Sequence, residues 1–124
     1  MRPATFIAIV ALVFTPMLVH ADTDTVSGVW KINGQVEGFA VTVSCALERH
    51  GDDLNGVCRD GGGDGPAHVL SSGTVHGDKV SWSYRRRFLL SMFEPRYSGR
   101  IDGTSMMGAI NVAGHNGVFT GDRE

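Results

Sequence analysis

The chain has 124 residues, a formal net charge of −2 and 17 glycines. This length is enough for one domain with a single modest core. Nothing in this slightly acidic balance indicates a nucleic-acid partner, so none is predicted.

The first segment, residues 1–21, has the three parts of a secretory signal peptide. Arg2 supplies a positive charge, residues 6–19 form an apolar run, and Ala21 is the small residue before the expected cleavage site. A membrane anchor is the alternative, but a spanning helix needs about 20 apolar residues. This run is shorter and contains Pro16. We therefore expect an exported protein, located in the periplasm or the extracellular space.

The mature domain, residues 22–124, consists of short runs of alternating apolar and polar residues separated by glycine turns. Residues 39–47 and 80–84 show this period of two, which is typical of strands with one buried face. No segment has a convincing helical period. Eight antiparallel strands are predicted, approximately at residues 26–33, 38–49, 54–59, 67–75, 80–87, 92–100, 106–112 and 117–123.

The turns recur at an interval of 26 residues. His50-Gly51-Asp52 is followed by His76-Gly77-Asp78 and then by Asp102-Gly103. Glycine and aspartate tolerate the positive φ angles of tight hairpin loops. The pattern predicts an all-β fold, a single eight-stranded up-and-down antiparallel barrel built of 26-residue hairpin repeats, which leaves no exposed sheet edge. A two-sheet β-sandwich is the alternative.

Both cysteines, Cys45 and Cys58, fall in the exported domain, where an oxidising compartment favours a disulfide. If Gly51 and Asp52 form the hairpin loop, Cys45 and Cys58 face each other across two strands, within disulfide range. We therefore predict an interior Cys45–Cys58 bridge. A zinc site is disfavoured because no further ligands stand at the right spacing.

The loops at the other end of the predicted barrel are longer and differ from one another. Residues 60–66 are glycine-rich and acidic, whereas residues 85–93 begin with three arginines and continue with Phe88, Leu89 and Leu90. These apolar residues either plug the barrel mouth, cover a ligand, contact another protein or dip into a membrane surface. The plug is the preferred interpretation.

Alternation places Trp82, Tyr84 and Arg86 on the inner face of one strand. An inward arginine needs an anionic partner. The preferred partner is an internal carboxylate, and a ligand carboxylate or phosphate is the alternative. Inward glycines such as Gly56 and Gly108 leave room for a cavity, although flattening of the barrel would close it. The predicted ligand-binding residues are Trp82, Tyr84, Arg86, Phe88, Leu89 and Leu90, with Phe39 and Val43 also lining the interior.

No metal, cofactor or catalytic site is predicted. The histidines at 50, 68, 76 and 115 are best explained as polar surface residues, and the acidic glycine loop lacks the ligand spacing of a calcium site. A nucleophile motif of the G-x-S-x-G type is missing from the sequence. An enzyme is therefore the least favoured class of function.

A short motif, Ser27-Gly28-Val29-Trp30, opens the first predicted strand. Gly-x-Trp at this place, followed by a meander with glycine turns, resembles the calycin barrels, which include lipocalins, fatty-acid-binding proteins and avidins. Val80-Ser81-Trp82 is similar to an avidin strand. The resemblance implies that Trp30 closes one end of the barrel. It does not imply biotin binding, since Asn33 fits the avidin pattern but residues 35–38 contain no serine.

Two functions stand as alternatives. The first is a binding protein for an apolar or anionic amphiphilic small molecule, with Arg86 holding the head group. The second is a protein-interaction module, such as an inhibitor or accessory subunit, that uses residues 85–93 and has a solid core. The interior volume of the barrel distinguishes the two.

Overall fold

The computed structural model describes residues 24–124, so the predicted signal peptide at residues 1–21 lies outside the described residues. The ten strands are β1 (Gly28–Val36), β2 (Phe39–His50), β3 (Asp53–Asp60), β4 (Ala67–His76), β5 (Lys79–Tyr84), β6 (Arg86–Phe88), β7 (Ser91–Phe93), β8 (Arg96–Asp102), β9 (Ser105–Val112) and β10 (His115–Arg123). Within residues 24–124 there is no helix of the length and hydrophobicity needed to cross a membrane.

Eight of these strands close into an antiparallel barrel. The strands neighbour one another in the order β1-β10-β9-β8-β5-β4-β3-β2, and β1 pairs with both β2 and β10. This arrangement confirms the predicted up-and-down barrel and excludes the β-sandwich.

Three tight turns at one end of the barrel have the same backbone conformation. Gly51, Gly77 and Gly103 have φ angles of 62°, 63° and 62°, in the left-handed region that glycine enters without steric cost. The repeat therefore sets the register of each hairpin. The residues three positions after these glycines, which are Leu54, Val80 and Met106, are all buried in the core.

The predicted disulfide is present inside the barrel wall. Cys45 and Cys58 face each other in the register of β2 and β3, with their Cα atoms 4.0 Å apart, and both are fully buried. His50 and Asp53 flank the turn as expected. Position counting along an alternating hairpin was thus enough to pair the two cysteines.

The turn end of the barrel is sealed by a tryptophan. Trp30 is fully buried, and its Nε1 donates a hydrogen bond to the Val26 carbonyl at 2.8 Å. The Arg123 guanidinium lies 5.9 Å from the centre of the Trp30 ring and donates to the carbonyls of Asp24 and Ser27. The segment before β1 is therefore fastened across this end, as the calycin resemblance implies for Trp30.

Two strands are shorter than predicted at the opposite end. Continuous strands at 80–87 and 92–100 are expected from the alternation, but β5 ends at Tyr84 and β8 begins at Arg96. The residues between them form the separate β6–β7 hairpin, which is not part of the barrel sheet. Pro95 provides one physical reason, because proline has no N–H to contribute to a strand ladder.

Replacing both Cys45 and Cys58 by alanine is expected to lower the free energy of unfolding by about 2–4 kcal/mol, because the bridge restricts the unfolded chain. Urea unfolding of the variant and of the oxidised protein measures the difference. The wild-type chain under reductant is the matched control, since it keeps both side chains. An unchanged unfolding midpoint in both samples would contradict a stabilising role for the bridge.

Candidate functional site

The end of the barrel opposite Trp30 is an open mouth that carries a pocket of about 540 Å³. The β1–β2 turn, the β9–β10 turn and the base of the β6–β7 hairpin surround it. Its lining consists of Val36, Glu37, Phe39, Val41, Tyr84, Arg86, Phe93, Pro95, Tyr97, Val112, Ala113 and His115. Most of these side chains are apolar, so the pocket offers a hydrophobic wall with Arg86 on one side. Shallower depressions lie on the outer wall around Met107.

Two tyrosines form the floor of this pocket. The hydroxyls of Tyr84 and Tyr97 are hydrogen-bonded at 2.9 Å, and each residue is only 1% exposed. Beneath them the Trp82 ring stacks on Tyr97 with centroids 5.0 Å apart, and Phe119 packs edge-on against both rings. These rings fill the barrel interior below the mouth.

The inward glycines do not leave an empty interior. A Cβ on Gly99 would lie 2.9 Å from Cζ of Phe119, so that space is already filled by an aromatic ring. At Gly56 and Gly108 a Cβ would collide with the backbone of the neighbouring strand. At these three positions the space is therefore closed, which is the second of the two outcomes that the sequence left open, because neighbouring strands and large side chains approach into it.

Burial raises the pKa of both floor tyrosines. For Tyr97 the cause is desolvation first and the neighbouring Tyr84 second. For Tyr84 desolvation again dominates, although the hydrogen bond with Tyr97 acts in the opposite direction. Both phenols therefore stay protonated in the folded protein and serve as neutral hydrogen-bonding groups.

Arg86 reaches an internal carboxylate at the edge of the pocket. Its Nη2 lies 3.3 Å from Oδ2 of Asp60, and the Arg86 side chain is 40% exposed. The same Asp60 oxygen lies 3.2 Å from Nε2 of His68, whose ring stacks on Tyr84. The predicted internal partner of Arg86 is thus Asp60. Because one guanidinium amino group makes this contact, other N–H donors of Arg86 remain for further bonds.

The glycine-rich loop positions Asp60. Its amide donates to the Pro66 carbonyl at 3.2 Å, and its carbonyl accepts from Gly65 at 3.1 Å. These bonds close the loop at its base and hold the Asp60 carboxyl beside His68. The second carboxyl oxygen, Oδ1, is buried and has no hydrogen-bond partner among the described residues. A buried carboxylate oxygen without a hydrogen-bond partner costs free energy, so Oδ1 of Asp60 is an acceptor that is still available at the edge of the pocket.

The apolar tip of the β6–β7 hairpin does not plug the mouth. Leu89 is 82% exposed and Leu90 is fully exposed, so both side chains stand in solvent. Phe93, at the base of the hairpin, does line the pocket. The plug interpretation is therefore wrong, because the hairpin pairs with itself and leaves the barrel sheet.

The predicted ligand-binding residues fall into three places. Tyr84 and Arg86 lie together in the mouth pocket, and Trp82 lies beneath its floor. Leu89 and Leu90 lie at the hairpin tip, away from the pocket lining. The backbone of Phe88 belongs to β6, and its side chain lies outside the described part of the structure. Ligand contact by these residues stays a prediction.

Several pocket residues were missed by sequence reasoning. Val36 and Val112 each end a strand directly before a turn at the mouth. An apolar residue at the end of a strand, next to such a turn, is the sequence feature that could have placed them in the pocket. Phe39 was placed inside by alternation, but it is 77% exposed. It begins β2 at the rim, where no opposite wall covers it.

The remaining histidine contacts are surface pairs. Nδ1 of His115 lies 2.9 Å from Oε2 of Glu37, and His50 pairs with Glu48, in all cases with exposed side chains. Such pairs contribute little to stability. Over residues 24–124, no group of three or more His, Cys, Asp or Glu side chains is arranged to hold a metal ion.

These features define a small closed antiparallel β-barrel with one sealed end and one open mouth. A redesigned β-barrel is similar in structure, with a TM-score of 0.64 at 13% sequence identity over 82% of this chain and 93% of that chain. At this identity the likeness supports the fold alone. A mutant of the fluorescent protein UnaG gives a TM-score of 0.49 at 11% identity over 82% of this chain and 97% of that chain, which is too weak to carry an argument. No protein-family model and no curated protein matches the sequence.

The floor tyrosines predict a loss of stability in alkali. Because their folded pKa values are raised, their contribution is complete below the unfolded tyrosine pKa of about 10 and is lost as the pH rises above it. The chain contains two tyrosines, so tyrosinate absorbance reports on this pair alone. We expect that absorbance to appear only as the near-ultraviolet circular dichroism of the folded state disappears. Ionisation near pH 10 in a protein that stays folded would contradict the buried floor.

Proposed function

We propose that this protein is a small β-barrel binding protein that holds an amphiphilic small molecule in its open mouth. The supporting observation is the pocket of about 540 Å³, with apolar walls and Arg86 on one side. Ligand pockets typically enclose about 300–1,000 Å³. The filled interior beneath Tyr84 and Tyr97 means that the ligand rests on the aromatic floor instead of entering the barrel.

The two parts of such a ligand have different partners. Val36, Val41 and Val112 cover the apolar body, while a carboxylate, sulfonate or phosphate head accepts hydrogen bonds from Arg86. Asp60 already offsets the Arg86 charge, so directed hydrogen bonds matter more for the head group than net attraction. Burial of apolar surface therefore supplies most of the affinity, and Arg86 supplies the preference for an anionic head.

Binding, not catalysis, is the role that these side chains support. The floor phenols hold their protons because burial raises their pKa values, which makes them poor bases and nucleophiles. In the Asp60–His68 pair, Nε2 of His68 faces Asp60 and the ring stacks on Tyr84. These contacts orient Arg86 and support the floor.

Export and the calycin-like resemblance belong to the same proposal. The Cys45–Cys58 disulfide is consistent with an oxidising compartment, such as the periplasm or the extracellular space. The sealed end, where Trp30 lies under Arg123, supports the calycin-like interpretation of the Gly28-x-Trp30 segment.

A second candidate function is a protein-interaction module that contacts its partner through residues 85–93, as an inhibitor or accessory subunit does. The observation that favours it is the exposure of Leu89 and Leu90. A protein contact through residues 85–93 does not require the pocket. A failure to bind a pocket ligand would therefore not argue against this second function.

A matched pair of fluorescent probes tests the binding proposal. Anilinonaphthalene sulfonate carries an anionic head, and N-phenylnaphthylamine has a similar apolar body without the charge. We expect both to bind the folded protein. Arg86→Gln is expected to weaken the sulfonate probe about tenfold, the usual scale of a hydrogen bond to a charged group, and to leave the uncharged probe nearly unchanged.

Two control variants separate the pocket from other sites. Arg100→Gln makes the same chemical change beside Asp78 at the sealed end, and it is expected to alter neither affinity. Leu89→Ser with Leu90→Ser removes the exposed tip and is expected to leave probe binding intact. The proposal fails if neither probe binds, or if Arg86→Gln and Arg100→Gln have equal effects.

A further inference from the structure

The β6–β7 hairpin stands apart from the barrel as a separate two-stranded sheet. Its strands pair with each other through Arg86 and Phe93, Arg87 and Met92, and Phe88 and Ser91. The tip between them is Leu89-Leu90, where Leu89 has a positive φ of 56°. Backbone pairing therefore fixes the tip as a tight turn at the outer end of the hairpin.

The base of this hairpin is tied to the barrel wall. Oε1 of Glu94 accepts hydrogen bonds from Ser71 at 2.9 Å and from Ser83 at 3.1 Å. Ser83 is in turn hydrogen-bonded to Ser72 at 2.6 Å. The hydrogen bonds from Ser71, and to a smaller extent from Ser83, lower the pKa of the Glu94 carboxyl. The ionised carboxylate is therefore the acceptor that ties the hairpin base to the two serines. The hairpin thus leaves the wall from a defined point.

The outer part of the hairpin is apolar and unburied. Leu89 is 82% exposed, Leu90 is fully exposed and Met92 is 59% exposed. Neighbouring apolar side chains presented in this way on a protruding element mark a contact surface. Because Leu89 and Leu90 form the tip of a hairpin that is separate from the barrel sheet, they extend past the rim of the barrel.

Positive charge is concentrated along this hairpin and at its base, below the apolar tip. The segment 85–96 contains four arginines and one glutamate in a chain of net charge −2. Arg85, Arg87 and Arg96 are exposed, and within residues 24–124 none of the three forms an ion pair. The segment 85–96 therefore carries a net positive charge, whereas the chain as a whole is slightly negative.

We propose that the β6–β7 hairpin docks onto the surface of an anionic phospholipid bilayer. Leu89 and Leu90 enter the boundary between head groups and acyl chains, and Arg85 and Arg87 bind phosphates. An apolar element beside basic side chains is the combination that binds anionic lipid, and guanidinium groups match phosphate oxygens in two-point hydrogen bonds.

The shape of the hairpin favours a bilayer over a protein partner. A stable protein interface buries about 800 Å² on each partner, and a tip of two leucines on a narrow hairpin offers a small fraction of that area. A bilayer requires no complementary shape and accepts a narrow apolar wedge. Docking also turns the mouth towards the lipid, since Arg86 and Phe93 belong both to the hairpin and to the pocket lining.

The charge distribution supports the same orientation. Exposed aspartates occur at the tight turns of the sealed end, at Asp52, Asp53 and Asp102. Asp78 at the same end is paired with Arg100, and the exposed Lys79 offsets part of the negative charge there. An anionic surface repels that end and attracts the hairpin, and the attraction acts over about one Debye length at physiological salt. The protein therefore approaches the bilayer with its mouth first.

Vesicle co-sedimentation tests this proposal. The chain is expressed with export so that residues 1–21 are removed, a state checked by the mass of the purified protein, and it is then mixed with vesicles of phosphatidylglycerol or of phosphatidylcholine. We expect binding to phosphatidylglycerol that weakens with added salt, and at least tenfold weaker binding to phosphatidylcholine. Arg85→Gln with Arg87→Gln is expected to weaken binding to phosphatidylglycerol by about tenfold or more, on the usual contribution of basic residues near an anionic membrane, and to reduce its salt dependence.

The decisive variant is Leu89→Ser with Leu90→Ser, which is expected to abolish sedimentation with vesicles while near-ultraviolet circular dichroism stays unchanged. Its matched control is Met107→Ser with Val118→Ser, which removes two apolar residues that are 66% and 68% exposed on the barrel wall and is expected to bind as the wild type does. The proposal is overturned if the wild type does not bind phosphatidylglycerol, or if both double variants bind equally well. Self-association that is lost in Leu89→Ser with Leu90→Ser, without vesicle binding, would identify a second copy of the chain as the occupant instead. Probe binding in the mouth is a separate measurement, so either proposal can fail alone.

Discussion

The stack of aromatic rings across the middle of the barrel decides where a ligand can bind. Trp82 lies parallel to Tyr97 at 5.0 Å, Phe119 packs edge-on against both, and Tyr84 completes the layer through its hydrogen bond to Tyr97. An eight-stranded barrel has an interior just wide enough to be filled by side chains or to hold one small ligand. Here the rings fill it, and Trp30 closes the far end, so along the barrel axis a ligand can rest at the mouth, apart from the more open depressions on the outer wall.

The mouth and the hairpin share a physical origin. Where β5 and β8 stop pairing, the chain leaves the barrel, and this departure both opens the wall above Tyr84 and creates the projecting β6–β7 hairpin. Arg86 and Phe93, the first pair of that hairpin, consequently belong to the pocket as well. A change at the hairpin base is therefore expected to affect both, whereas a change at its tip affects only what the tip contacts.

The barrel could be predicted from the sequence because alternation and repeated glycine turns are local signals, and counting positions across one turn placed Cys45 opposite Cys58. The break before β6 could not, because the three arginines at 85–87 carry neither an alternation nor a turn signal that marks where the strand ends. Pro95 alone does not show which partner a strand takes. Arg86 was placed inward by the same alternation. Its partner Asp60 depends on the path of a glycine-rich loop, which no periodicity encodes. Phe39 shows the limit of this reasoning. Odd or even position along a strand assigns a side chain to one face of the sheet, but it does not show whether another residue packs over that side chain.

The central claim is that ligands bind above the aromatic floor and not within the barrel. Methyl NMR of the valines, recorded during titration with anilinonaphthalene sulfonate, tests it most directly. We expect the probe to shift the methyl signals of Val36, Val41 and Val112, which line the mouth, and to leave those of the buried Val75 and Val80 unchanged. Largest shifts at Val75 and Val80 would show that the probe enters the barrel, and would contradict the account.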